Sequence, residues 1–260
     1  MQASEASNNF QRAIQAMFHT LKQAMQIVKW RQLSIATERC SLCNFPVNLR
    51  LSGNEIGVRC PRCRASAITQ SLVETLQACV ANLAQKDTYE LSSSGPLVAY
   101  LKSHSRSLTL SEYFDDVSPG SVSISGIPCE DVQQLTFRDA SFDLCTCTEV
   151  FEHVADDLKG FSEICRVLRP GGFFVFTVPL SSSDVTTERT AFRDGKRINI
   201  LPVEYHRDRW RGPCVFCFRN YGNDILERVV ASGFRKAEFF LPQRKLFGFA
   251  RRVIVAEKSR

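Results

Sequence analysis

The sequence predicts an α/β protein: a mostly parallel sheet of seven strands with helices on both faces, behind an N-terminal helix and a small cysteine-rich module. Three observations predict it. Strand-like and helix-like segments alternate from residue 86 to 258, the order that right-handed crossovers turn into parallel neighbours. Two Cys-x2-Cys pairs stand in a short, polar, turn-rich stretch over 36–66 that could not bury a core alone. Residues 8–30 place Phe10, Ile14, Met17, Phe18, Leu21, Met25 and Val28 at steps of three and four, one face of a helix.

The totals agree with one full domain plus a small module: 260 residues, 44% hydrophobic and 23% charged. No run of about 18 apolar residues marks a membrane span. The N-terminus, MQASEASNNFQRAIQ, has no basic segment followed by an apolar one. No secretory leader is expected, and the chain reads as cytoplasmic. Eleven cysteines in such a chain favour metal binding over a disulfide framework. A net charge of +6 is a mild basic bias that leaves nucleic acid as an alternative partner and not the favoured one.

The elements follow in order. Residues 1–35 hold the amphipathic helix, whose apolar face packs on its own domain or forms a homodimer seam. Residues 36–85 hold the cysteine module and a helix with Ile68, Leu72, Leu76, Cys79, Val80 and Leu83 on one face. Residues 86–260 hold the sheet. Its strands are expected at Thr88–Ser92, Ser107–Glu112, Ser121–Glu130 with a turn in it, Phe142–Glu149, Phe173–Val178, Arg235–Leu241 and Val253–Lys258. Helices are expected at Leu97–Ser103, at Asp156–Leu168 and at Gly222–Ser232. The second of these stops at Arg169-Pro170-Gly171-Gly172, because proline cannot continue it and glycine tolerates the reversal. A polar segment, 179–221, interrupts the alternation.

Cys40, Cys43, Cys60 and Cys63 form C-x2-C-x16-C-x2-C, the spacing of a zinc ribbon. A two-residue gap lets both sulfurs of a knuckle face one ion, and four thiolates complete a tetrahedron. Such a closed site makes the zinc structural. Cys214-Val-Phe-Cys217 is a third pair without a partner pair. It reads as buried thiols of a strand; a metal shared with His206 is the alternative. Cys79, Cys129, Cys145, Cys147 and Cys165 sit in apolar patterns and read as core.

The corner Tyr89-Glu-Leu-Ser-Ser-Ser-Gly-Pro-Leu97 must turn from a strand into a helix. Backbone N–H groups at such a helix start bind anionic groups, and the serine hydroxyls add donors. Gly95 alone readily permits positive φ. Acids stand at three successive strand ends: Glu90, Glu112 and Asp131. Ligands of open α/β sheets bind beyond those ends, where such an acid accepts from ribose hydroxyls.

Three blocks then resemble a known family: Leu135-Thr-Phe-Arg-Asp-Ala-Ser-Phe-Asp-Leu144, Glu149-Val-Phe-Glu-His-Val154 and Glu163-Ile-Cys-Arg-Val-Leu-Arg-Pro-Gly-Gly172. Together they look like the class I S-adenosylmethionine-dependent methyltransferases, type 11-like, with a Rossmann-like sheet, over roughly residues 86–258. The cysteine module joined to the serine corner resembles a bacterial subgroup in which serines replace the usual glycines. The resemblance implies S-adenosylmethionine as cofactor. Glu90, Ser92 and Gly95 would flank its methionine part, Glu112 its ribose, and Asp131 and Val132 its adenine. Thr148 and Glu149 would close the pocket from the fourth strand.

The acceptor would enter under the 179–221 segment as a lid. Glu149, His153 and His206 are the candidate catalytic groups there, an imidazole being able to take a proton near neutrality. Arg207, Arg209, Arg211 and Arg219 make the lid basic and can clamp a phosphate or carboxylate. A small-molecule or carbohydrate-like acceptor is the first expectation. RNA or protein gripped by the zinc module is the second, and a non-catalytic binding protein on the same fold the third. A nicotinamide oxidoreductase suits Glu112 but not the motifs after residue 130.

Overall fold

The computed structural model describes residues 30–194, 196–208 and 211–260. The helix expected over 8–30, with its homodimer seam, lies outside them but for its last residue. The cysteine module is a three-stranded antiparallel sheet of β1 (Ser34–Ala36), β2 (Asn48–Arg50) and β3 (Val58–Arg59). Each knuckle closes the same way. Asn44 N–H donates to Cys40 O and Arg64 N–H to Cys60 O, with positive φ at Asn44 and Arg64. Helix α1 (Ala67–Cys79) follows, capped by Ser66, whose Oγ accepts from Thr69 N–H at 3.2 Å.

The sheet begins with β4 (Asp87–Glu90), followed by α2 (Pro96–His104) and β5 (Ser107–Leu110). Next come β6 (Phe142–Thr148), α3 (Asp157–Val167) and β7 (Leu168–Thr177). The 179–221 segment is not irregular. It holds β8 (Thr187–Glu188), β9 (Thr190–Arg193), β10 (Lys196–Asn199), β11 (Tyr205–Asp208), β12 (Gly212–Phe216) and β13 (Arg219–Asn220), joined in antiparallel pairs. Helix α4 (Ile225–Ala231), β14 (Lys236–Phe240) and β15 (Val253–Glu257) complete the chain.

The strand order is β14-β15-β7-β6-β4-β5. β5, β4, β6 and β7 run parallel; β15 is antiparallel to β7, and β14, antiparallel to β15, runs in the same sense as the four. Crossovers thus leave from both sides of β4, which puts a switch point at its carboxyl end. Six strands pair among the described residues, not the seven the sequence predicts. The missing one is Ser121–Glu130. Pro119-Gly120 and Gly126 bend that stretch back on itself, with Val122 bridging Pro128, so that Cys129 alone bridges Glu112 beyond β5.

Helices α1 and α2 cover one sheet face, where Leu72, Val73, Leu76 and Leu101 meet Leu144, Val175 and Val255. Helices α3 and α4 cover the other, where Phe161, Ile164, Ile225 and Val229 meet Phe174 and Phe176. Phe151 stacks on Phe161 with centroids 4.2 Å apart, a contact worth about 0.5–1.5 kcal/mol beyond its buried area. It fixes the turn after β6 that carries His153. At the start of β7, Gly172 passes so close to Arg169 O that a Cβ would lie 2.8 Å from it. The RPGG run is therefore the bulged beginning of β7 and not a loop, since Phe142 pairs with Leu168 and Leu144 with Phe173. No helix among the described residues is long and apolar enough to cross a membrane.

Candidate active site

The carboxyl ends of β4, β5 and β6 open on a cleft of about 270 Å³. Leu91, Glu112, Asp131, Val132 and His153 are among its walls, with Phe216 on the facing hairpin. Among the expected cofactor residues, Glu112, Asp131 and Val132 thus converge. Ser92 and Gly95 stand behind this wall in the serine corner. The corner is joined to it because Ser93 donates its N–H and its hydroxyl to Glu112 Oε1, at 2.7 and 2.9 Å. Gly95, at φ +116°, is the N-cap of α2, and Pro96 at the first helical position pre-sets the turn.

Glu90 is 1% exposed and does not border the cleft. Ser92 Oγ donates to its Oε1 at 2.6 Å, and Thr146 Oγ1 donates to its Oε2. Burial outweighs these donors and lifts its carboxyl to about 7. Glu90 therefore braces Ser92 from beneath. Asp131 Oδ1 accepts from Gln133 N–H at 2.9 Å and from Gln133 Nε2 at 3.1 Å, which fixes the carboxylate at the rim.

Beyond β6 lies a second polar group. Glu149 has φ 54°, a left-handed conformation that costs a non-glycine residue about 1–3 kcal/mol. Its N–H donates to Thr177 O at 2.9 Å, and Arg251 Nη2 donates to its Oε2 at 3.1 Å. Burial raises its carboxyl, opposed by Arg251. Arg251 Nη2 also meets Glu55 of the cysteine module at 2.9 Å, so that module touches the same end of the sheet. Thr148, half-buried as the last residue of β6, pairs with Thr177.

His153 Nδ1 lies 2.8 Å from Phe216 O, and its ring meets His206 edge-on with centroids 4.9 Å apart. The structure therefore brings His153 and His206 together, although 53 positions separate them in sequence. Between them stands Glu152, which sequence reasoning missed. It is 2% exposed, and burial pushes its carboxyl well above the usual range, with Glu149 adding to the shift. Cys217 lies 3.7 Å from His153 Nδ1; burial first, then Glu152 and Glu204, push its thiol up to about 12. Cys214 is exposed, so the expectation of two buried thiols holds for Cys217 alone.

The basic lid is also revised. Arg219 is no clamp: it is 4% exposed and donates to the carbonyls of Phe151, Val154 and Ala155, fastening β13 to the turn after β6. Arg211 reaches the cleft, 3.2 Å from Asp115 and over the Tyr113 ring. Arg209 and the Arg207 side chain lie outside what is described.

Outside the lining of the cleft, Cys40, Cys43, Cys60 and Cys63 converge, all four sulfurs within 4.8 Å of one another. Cys40 Sγ is 3.5 Å from Cys63 Sγ, and Cys43 Sγ 3.6 Å from Cys60 Sγ. Tetrahedral zinc with bonds of about 2.3 Å sets sulfurs roughly 3.8 Å apart, so the donor set fits. Arg244 ties the module to the sheet, donating to Arg39 O, Ser41 Oγ and Glu74.

A stretch of 53 residues is 40% identical to dimethylglycine N-methyltransferase of Parasynechococcus marenigrum (strain WH8102), covering 20% of this chain and 19% of that protein. The chain thus spans about a fifth of the length of the curated relative it matches. Among solved structures, an S-adenosylmethionine-dependent methyltransferase from Mesorhizobium loti is 17% identical over 72% of this chain and 98% of its own, with a TM-score of 0.48. The 1,6-didemethyltoxoflavin-N1-methyltransferase of Burkholderia thailandensis, solved with 1,6-didemethyltoxoflavin and S-adenosylhomocysteine, is 16% identical over 75% of this chain and 79% of its own, at a TM-score of 0.45. Residues 92–176, from Ser92 of the serine corner through β7, match the family model described as a methyltransferase domain, and that span holds Glu112, Asp131 and His153.

Proposed function

We propose that the protein is an S-adenosylmethionine-dependent methyltransferase. The observation that supports this most is the convergence of Glu112, Asp131 and Val132 on one cleft, within the span matching a methyltransferase domain. The residues fit the cofactor. Asp131 offers a carboxylate to the adenine amine, Val132 an apolar surface to the ring, and Glu112 an acceptor to the ribose. Ser92 and Gly95 serve the amino-acid end at the start of α2, with Glu90 bracing Ser92 and Thr148 closing that end. Bound there, the cofactor supplies a methyl group already activated by a positive sulfur. The chain's own task is alignment of the acceptor, where positioning can supply up to ~7–11 kcal/mol.

A small-molecule or carbohydrate-like acceptor suits the facing wall, where Phe216 and Phe218 present rings and Arg211 a cation. The named substrate of the curated relative, dimethylglycine, is likewise small. Glu149, His153 and His206 stay proposed as the groups that handle an acceptor proton. The four cysteines hold a structural Zn2+. The functional test is a calorimetric titration of S-adenosylmethionine into the full chain, which should saturate at about one per chain. No binding at millimolar cofactor would leave a scaffold without the proposed chemistry. Retention on heparin lost at moderate salt would instead favour an RNA acceptor.

A further inference from the structure

Both carboxylate oxygens of Glu152 are buried without a hydrogen-bond partner. Its Oε1 faces His153 Nε2 at 3.6 Å and His206 Nδ1 at 3.8 Å. The opposite ring nitrogens are both engaged, His153 Nδ1 with Phe216 O at 2.8 Å and His206 Nε2 with Glu204 Oε1 at 3.2 Å. A carbonyl and a carboxylate only accept, so these outer nitrogens carry the protons of the neutral rings. In rings so arranged the inner nitrogens are the ones that face Glu152. A sulfur lies beside the group: Cys217 Sγ is 3.7 Å from His153 Nδ1, and one nitrogen of each histidine and this sulfur lie within 4.8 Å of one another. Cys217 is 1% exposed. Glu152 and Cys217 are buried and the two rings partly so, and such a gathering of acceptors is unfavourable unless a proton or a metal cation sits among them.

We propose that Glu152, His153, His206 and Cys217 bind a divalent transition metal of the zinc class, a second metal centre distinct from the four cysteines. Imidazole, thiolate and carboxylate are the donors zinc takes, and bonds of about 2.0–2.3 Å put tetrahedral ligands roughly 3.3–3.8 Å apart. The 3.6 and 3.8 Å separations from Glu152 fall within that span. The outer partners, Phe216 O and Glu204, are of the kind that orient metal-bound histidines. Three separate segments supply ligands: the turn after β6, strand β11, and the residue after β12. The ion therefore pins the β11–β12 hairpin against the wall of the cleft that holds His153. With the ion bound, both imidazoles act as ligands, and of the three groups proposed to handle an acceptor proton Glu149 alone keeps that role. The site does not depend on the cofactor reading.

The test loads the full chain with excess Zn2+, removes free metal and counts the ions retained. The wild type should hold about two per chain, and His206→Ala and Cys217→Ser about one each, with unchanged circular dichroism. X-ray absorption at the zinc edge of the wild type is independent of how any variant folds. It should show sulfur mixed with nitrogen and oxygen in the first shell. A sulfur-only shell overturns the site, and so does full wild-type metal content in both variants. Metal content is read without S-adenosylmethionine, so a failed cofactor titration leaves this result standing, and the reverse.

Discussion

Ser93 donates both its backbone N–H and its hydroxyl to one oxygen of Glu112, at 2.7 and 2.9 Å. The corner after β4 and the end of β5 are thereby locked together. A glycine in place of Ser93 would keep the N–H bond and lose the other. The serine corner is thus built to hold the acid that the proposed ribose contact uses. Ser93→Ala should weaken S-adenosylhomocysteine about 2–10-fold, the worth of one hydrogen bond to a charged group or less. Calorimetry measures it, and an unchanged affinity would detach the corner from the cofactor.

Asp131→Ala should cost about 10–100-fold in affinity for the same ligand, since it removes a charge-assisted acceptor. The residue is at the rim, held by Gln133, so the thermal midpoint should move little. The paired readout separates lost binding from lost folding.

Gly95→Ala tests the backbone. At φ +116° an L-residue is strained, and nothing lies within 4 Å of the added Cβ, so the effect is conformational and not a clash. About 1–3 kcal/mol of stability should be lost, measurable by denaturant unfolding. An equally stable variant would show that the corner relaxes freely.

Glu90 gives a pH signature. Its folded carboxyl is lifted to about 7, above the ordinary 4.5 of a free glutamate. The unfolded chain therefore ionises first, and stability falls as pH rises from about 4.5 to about 7, then levels. The difference corresponds to about 3 kcal/mol. Glu90→Gln should flatten the thermal midpoint across this window. The same slope in wild type and variant would contradict the burial argument.

Removing zinc with a chelator, or substituting Cys60→Ser, should expose residues 38–66 to proteolysis while α3 and β7 stay protected. The module's sulfurs are all within 4.8 Å, and its core is little more than the cysteines with Ala65, Leu42 and Phe45. Loss of protection throughout the sheet would instead make the module part of the main fold.

What the sequence shows depends on how local the cause is. The Cys-x2-Cys knuckles need only their own turns, and four sulfurs meet from spacing alone. Glu112 was visible because the end of β5 follows from its apolar run, whereas Asp131 borders the cleft although the strand expected before it does not form. The stretch Ser121–Glu130 misled because its alternation resembles a strand while Gly120 and Gly126 fold it back. Arg219 looked like a surface cation. It is buried because the carbonyls of Phe151, Val154 and Ala155, more than sixty positions earlier, need a donor. Glu152 gave no signal, since its isolation arises only when the β11–β12 hairpin closes over it.

The most direct measurement is a crystal structure of the full chain with S-adenosylhomocysteine. The adenine amine should lie in hydrogen-bond reach of Asp131 and the ribose hydroxyls on the Glu112 carboxylate that Ser93 holds. A ligand seated elsewhere, touching neither acid, would contradict this placement.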